Sequence, residues 1–288
     1  MPDFWSHQFA AKSIRKTLSD ELEVAYNIGT HSLALFYLGA QGPDIFYYIN
    51  KFTPYKNRSY KKIGDAIHNS DPRTLMRLML ETASTQQSEW TTAYLHGFIT
   101  HYFLDAYCHP HICKMGPDSE SHKRVEMDLE ALCIKNYWKA SSIDLKKQFF
   151  SVSDEHIERT LEPFWNTILM SLDLEPIPTA DYKSGVHDLH RIEKLLVYKI
   201  IDYLPFKRFI GKVFNYNLSL LQYPKLTEQL ATQLEYNTFI AQYELAMKQS
   251  KEALSELTSL EDSTECILEY VSKWFNKNFL GEDLKDVQ

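Results

Sequence analysis

An all-helical fold is predicted by three features of this 288-residue chain. Glycine is scarce, with nine residues, which leaves little material for tight-turned sheets. Long runs rich in Leu, Glu, Lys and Ala carry apolar residues at intervals of three and four. Proline and glycine interrupt these runs where helices would end. At 44% hydrophobic and 14% aromatic residues, the chain can bury a substantial core. The expected organisation is one all-helical domain over 1–288, in which 1–135 hold the chemistry-bearing residues. Residues 136–288 would supply supporting helices and a helical C-terminal extension.

In chain order, residues 8–27 place Phe9, Ile14, Leu18 and Leu22 at helical spacing ahead of Gly29, predicting a surface-lying amphipathic helix. Thr30 is expected to cap a second helix through HSLALFYLGAQ. Gly42 and Pro43 break that helix and leave Asp44 at an element boundary, where a carboxylate ordinarily serves as a cap. The basic, aromatic KFTPYKNRSY reads as a surface loop at a pocket mouth, followed by a helix ending near His68 and Asn69. Asp71 and Pro72 open the next helix as cap and first-turn proline, with Leu75, Met76, Leu78, Met79 and Leu80 as core.

Ser88 begins the central helix, Gly97 permits close packing within it, and Pro110 is expected to end it just after His109. Ser119 or Ser121 would cap the following helix, where His122, Glu126, Leu129 and Cys133 share one face while Lys123 and Arg124 point elsewhere. Further helices are predicted over 153–172, over 187–204 up to Pro205, over 226–259 after Pro224, and over 265–280. Residues 281–288 are expected to fray.

The net charge of −7 argues against a general affinity for nucleic acid backbones, which need clustered Lys and Arg. The start MPDFWSHQFAAKSIRK lacks the basic and apolar regions of an export signal, and no later window approaches the roughly eighteen apolar residues of a membrane span. Cys108, Cys113, Cys133 and Cys266 show no CxxC pair or framework spacing. A cytoplasmic protein with reduced thiols is expected, with Cys108 and Cys113 packing near the polar cluster described next.

The stretch Tyr94 to Glu126 concentrates metal-ligand chemistry. His101, Asp105 and His109 stand four residues apart, so on one helix they project from neighbouring turns of one face. His122 and Glu126 repeat the spacing after a loop. Nitrogen and carboxylate donors together suit zinc, and a second pair beyond a loop is what more than one ion would require. His156, His187 and His190 have no carboxylate partner at ligand spacing and read as surface or structural residues.

Taken in order, His7 within MPDFWSH, Gly42 to Asp44 within YLGAQGPDIFYY, His68, the HxxxDxxxHP run from His101 to Pro110 and the HxxxE pair His122 and Glu126 resemble the zinc-dependent phospholipase C family. The resemblance covers about the first 130 residues. It implies that Asp44, His68, His101 and Asp105 hold one zinc, that His109, His122 and Glu126 hold a second, and that Asp105 bridges to a third also held by His7. In secreted members the mature N-terminal residue completes that third site. Here the start at Met1 or Pro2 leaves it incomplete or rebuilt with Asp3, so two to three ions are expected. Secreted members space the second-zinc histidine so as to select His111, whereas the His-Pro dipeptide selects His109. His31 and His96 match no ligand position.

The implied reaction is attack of zinc-activated water on a phospholipid phosphodiester, with Asp44 orienting or deprotonating the water. Its products are diacylglycerol and a phosphorylated head group, and membrane contact would be transient. Phe46, Tyr47 and Tyr48 are expected to be core residues or to line a choline-type cage. Two other readings stay open: a nucleotide or nucleic-acid phosphodiesterase built on the same cluster, as in a related helical nuclease family, and a non-catalytic metal-binding helical protein.

Overall fold

The computed structural model describes residues 4–21, 30–52, 60–140, 145, 150–197 and 231–284. Helices α1 (Phe4–Glu21) and α2 (Thr30–Gly39) lead into a 3-10 turn (Gly42–Asp44), the short α3 (Ile45–Tyr48) and α4 (Lys61–His68). Next come α5 (Pro72–Gln86), α6 (Glu89–Met115) and α7 (Ser119–Leu132), the last continued by a π turn at Cys133–Tyr137. Asp154–His156 and a π turn at Ile157–Leu161 run into α8 (Glu162–Ser171), followed by α9 (Thr179–Val197), α10 (Gln233–Leu257) and α11 (Thr264–Trp274). The fold is all-α. Among the described residues the sole β pairing is an isolated bridge between Lys277 and Asp283.

Helix α6 is the axis, flanked chiefly by α2 and α10. It is apolar almost all round, as a helix enclosed by others must be, and Tyr94, Phe98, Tyr102 and Leu104 are buried. Close approach to α2 depends on two glycines. A Cβ at Gly97 would lie 2.0 Å from the Phe36 carbonyl oxygen, and one at Gly39 would lie 2.0 Å from that of Tyr94. Gly97→Val is therefore expected to force α2 and α6 apart and cost about 1–3 kcal/mol or more, read as a lower denaturant midpoint.

Several predicted boundaries move. Pro110 does not end α6, which runs on to Met115. A proline forfeits its own bond to the carbonyl four residues back, here Ala106, and packing on all sides of α6 outweighs that loss. The cap of α7 is Asp118, whose carboxylate accepts from the Glu120 and Ser121 amides at 3.1 and 3.0 Å; Ser121 completes the capping box. Asp71 caps α5 as predicted, accepting from the Arg73 amide at 2.8 Å.

Helix α1 begins at Phe4, four residues before the predicted start, and buries Trp5, Ser6 and His7 in its first turn. Its first turn is held from two sides. The Ser6 amide, unpaired within the helix, donates to Glu130 at 2.8 Å, and the Tyr243 hydroxyl donates to the Ser6 carbonyl at 2.6 Å. Residues 281–284, expected to fray, instead close a hairpin after α11: the Leu284 amide donates to the Asn276 carbonyl, and the Asn278 amide to that of Glu282, both at 2.9 Å. The expectations for Asp3, Gly29, most of the loop before Tyr60, the stop at Pro205, residues 226–230 and residues 285–288 lie outside the described residues.

Candidate metal centre

Four elements bring five side chains to one point. On α6 the four-residue spacing sets His101 Nε2 3.3 Å from Asp105 Oδ2, with both residues wholly buried. From α1, His7 Nε2 reaches Asp105 Oδ1 at 3.3 Å, and its ring stacks on that of His101 with centroids 4.4 Å apart. At the end of α4, His68 Nε2 stands 3.5 Å from Asp44 Oδ1 and 3.8 Å from Asp105 Oδ2. Asp105 thus faces three histidines.

Asp44 is placed by its turn. Gly42 takes φ +56, and a Cβ there would fall 2.2 Å from the His101 ring, so glycine is needed for both conformation and contact. The Asp44 side chain makes no capping hydrogen bond and is buried, which overturns the expectation that it serves as a helix cap.

His109, His122 and Glu126 form a second group whose donor atoms lie within 4.8 Å of one another. His122 Nε2 is 2.9 Å from Glu126 Oε1, and Lys123 pairs with the other oxygen at 3.3 Å instead of pointing away. The Cys113 thiol lies 3.9 Å from His122 Nδ1, whereas Cys108 is packed in the core. His111 leaves this group: its Nε2 meets the Glu235 carbonyl at 2.9 Å, at the start of α10. His96 lines a separate cleft with Leu80, Leu257 and Ile267. His156 closes a capping box with Ser153, and His187 meets Asp154 at the surface. The His31 side chain is not among those described.

Backbone carbonyls fix two histidine tautomers. A carbonyl only accepts, so Nδ1 of His68 donates to the Gly64 carbonyl at 2.8 Å, and Nδ1 of His109 donates to that of Phe279. In each ring Nε2 is left with its lone pair, the arrangement common among metal-bound histidines. The Tyr47 hydroxyl, which donates to Asp65 at 3.0 Å, lies 3.2 Å from His68 Nδ1. The sequence motifs gave no sign of Phe279 as a neighbour of the site, because it acts through a tertiary contact, whereas Tyr47 stood among the aromatic residues expected in the core or in a choline-type cage.

Burial governs the electrostatics. It lowers the pKa values of His7 and His68 to about 4 and that of His109 to about 3, and it raises that of Asp44 to about 7. At His101 burial also favours the neutral ring, but the Asp105 carboxylate outweighs it and the pKa is raised. Asp105 and Glu126 resist the upward push of burial. The charge of His101 and then His109 holds Asp105 well below the ordinary range, and Lys123 and His122 hold Glu126 low.

The donor set fits a metal. Both ring nitrogens of His7 and His101, His68 Nε2, Asp44 Oδ1 and both Asp105 oxygens are buried, and no properly formed hydrogen bond reaches them among the described residues. Such atoms are costly to bury unless something coordinates them. Imidazoles and carboxylates in this proportion match zinc.

Comparison with known proteins agrees with this chemistry. A sequence model of the family described as zinc dependent phospholipase C matches residues 6–174, a span that contains His7 through Glu126 and ends just after α8. No curated protein and no solved structure matches the chain. With a family match over more than half its length, an all-helical fold and converging metal-type donors, the chain belongs to the zinc-dependent phospholipase C family and is a hydrolase of that type.

Proposed function

We propose that Asp44, His68, His101 and Asp105 hold one zinc ion, that His109, His122 and Glu126 hold a second, and that His7 with Asp105 and His101 forms part of a third site. The observation that carries this reading is the convergence of buried, unpaired donors on Asp105 at 3.3 to 3.8 Å. When bound, zinc would lower the pKa of a water ligand toward about 7 and neutralise charge on a phosphodiester.

The chain's own groups supply the rest. Asp44 would orient the attacking water and take its proton on the carboxylate oxygen that does not hold zinc. The second and first groups would flank the phosphate as the water oxygen bonds to phosphorus, the bond from phosphorus to the glycerol oxygen breaks and that oxygen takes up a proton, giving diacylglycerol and a phosphorylated head group. Of the proposed ligands, His68 and His122 keep the most exposed side chains, at 14% and 24%, so substrate would approach past these two. Phe46 does not line that approach: it is buried against Trp165 and Tyr182, a core position that answers the cage expectation for this residue.

Phospholipid is the substrate class this reading favours. No described helix is long and apolar enough to cross a membrane, so contact with a bilayer would be transient. The four cysteines are free, which supports a reducing, cytoplasmic setting. The test is zinc-loaded protein on phosphatidylcholine, phosphatidylinositol, bis-p-nitrophenyl phosphate and single-stranded DNA. Release of diacylglycerol from a phospholipid is the expected result. Cleavage of DNA without phospholipid would favour the nuclease reading, and zinc binding with no cleavage at all would refute catalysis.

A further inference from the structure

The hairpin after α11 lies wholly beyond the family-matched residues 6–174, yet it contacts the metal centre. Phe279 is fully buried, with its ring centroid 5.3 Å from that of His68 and 6.3 Å from that of His101. Its carbonyl accepts from His109 Nδ1. The hairpin is well tied. Asn278 Oδ1 accepts from the Leu280 and Glu282 amides at 3.0 and 2.9 Å, and the Tyr102 hydroxyl of α6 donates to the Lys277 carbonyl at 2.7 Å.

Its seat on α6 is specific. Gly281, at φ +80, lies where a Cβ would come within 2.3 Å of both the Ala106 carbonyl oxygen and Pro110 Cγ. Ala106 is the residue whose carbonyl loses its helical donor because position 110 is proline. The hairpin therefore settles on the gap in α6 that Pro110 creates, one residue from His109.

We propose that this C-terminal hairpin is a working part of the second metal subsite, with Phe279 as a positioning residue. Its main-chain carbonyl holds the His109 ring in the Nδ1–H tautomer, aimed so that Nε2 can join His122 and Glu126 in retaining zinc. The inference rests on the ligand reading above. It adds that zinc retention at this subsite depends on residues 275–284, outside the family's own span. An outer partner of this kind typically contributes about 10–100-fold to metal affinity.

The test uses the full-length protein and measures zinc per chain by elemental analysis and zinc affinity by chelator competition, with circular dichroism to check folding. Gly281→Ala should push the hairpin off α6, and Tyr102→Phe should remove its hydroxyl tether at little change in volume. The expected result is that Gly281→Ala holds one zinc equivalent about 10–100-fold more weakly while the rest stays at wild-type affinity, with a smaller shift of the same sign in Tyr102→Phe.

Wild-type zinc affinity in both hairpin variants would overturn the proposal, as would wild-type affinity in Tyr102→Phe alone if Gly281→Ala fails to fold. His109→Ala separates the two levels. If it keeps the full zinc complement, the ligand reading itself fails; if it loses one equivalent and the hairpin variants lose none, only the hairpin proposal fails.

Discussion

Asp105→Ala is expected to strip zinc from the protein and to lower phosphodiester hydrolysis at least about a thousandfold, since the several kcal/mol of charge stabilisation supplied at such a centre convert at about 1.4 kcal/mol per tenfold. Asp105 lies 3.3 Å from both His7 and His101 and 3.8 Å from His68. Its removal would take a shared carboxylate from two of the proposed ligand groups at once and leave three imidazoles around an uncompensated space. Asp105→Asn keeps the shape but not the charge. It should also fall far below wild type, with folding preserved and zinc per chain reduced. Activity of the asparagine variant within about tenfold of wild type would show that the charge of Asp105 is not central.

The second large effect separates two histidines two residues apart. His109→Ala should remove one zinc equivalent per chain and reduce hydrolysis at least about a hundredfold, as expected when a ligand is lost and not merely an outer partner. His111→Ala should leave zinc content and activity unchanged. Its Nε2 is engaged by the Glu235 carbonyl at 2.9 Å, so the expected cost is about 1 kcal/mol of stability from one hydrogen bond. The reverse pattern, zinc lost only in the His111 variant, would move the second subsite and require a different geometry at the end of α6.

Much of this was legible in the residues themselves. His101 with Asp105, and His122 with Glu126, are local pairs, and helical spacing alone brings each together. The convergence of His7, Asp44 and His68 on the first pair is a tertiary fact, suggested only by the ordered family pattern. Helix ends were read less well where two signals competed. Pro110 is a strong local breaker, yet enclosure of α6 carries the helix five residues further. Serine and aspartate stand side by side at the start of α7, and the capping geometry selects Asp118. Asp44 looked like a cap because it follows a break, but the left-handed Gly42 turns its side chain inward.

The C-terminal contribution was not legible. The sequence from Phe275 onward holds no ligand-type motif, and its role near the site lies in a main-chain carbonyl and a glycine fit, neither of which has a side-chain signature. Lys123 was missed for a related reason. Its three-residue offset from Glu126 permits the pair, but a long flexible side chain gives no sequence cue for turning inward.

The central claim, that the buried donors around Asp105 and the His109 group hold zinc, is tested most directly by crystals of the zinc-loaded protein measured on either side of the zinc absorption edge. Anomalous peaks are expected about 2.0–2.2 Å from the Nε2 atoms of His68 and His101 and from Asp105, with a separate peak among His109, His122 and Glu126. Fully folded, zinc-loaded protein with no peak at these side chains, or with zinc bound only elsewhere, would contradict the account.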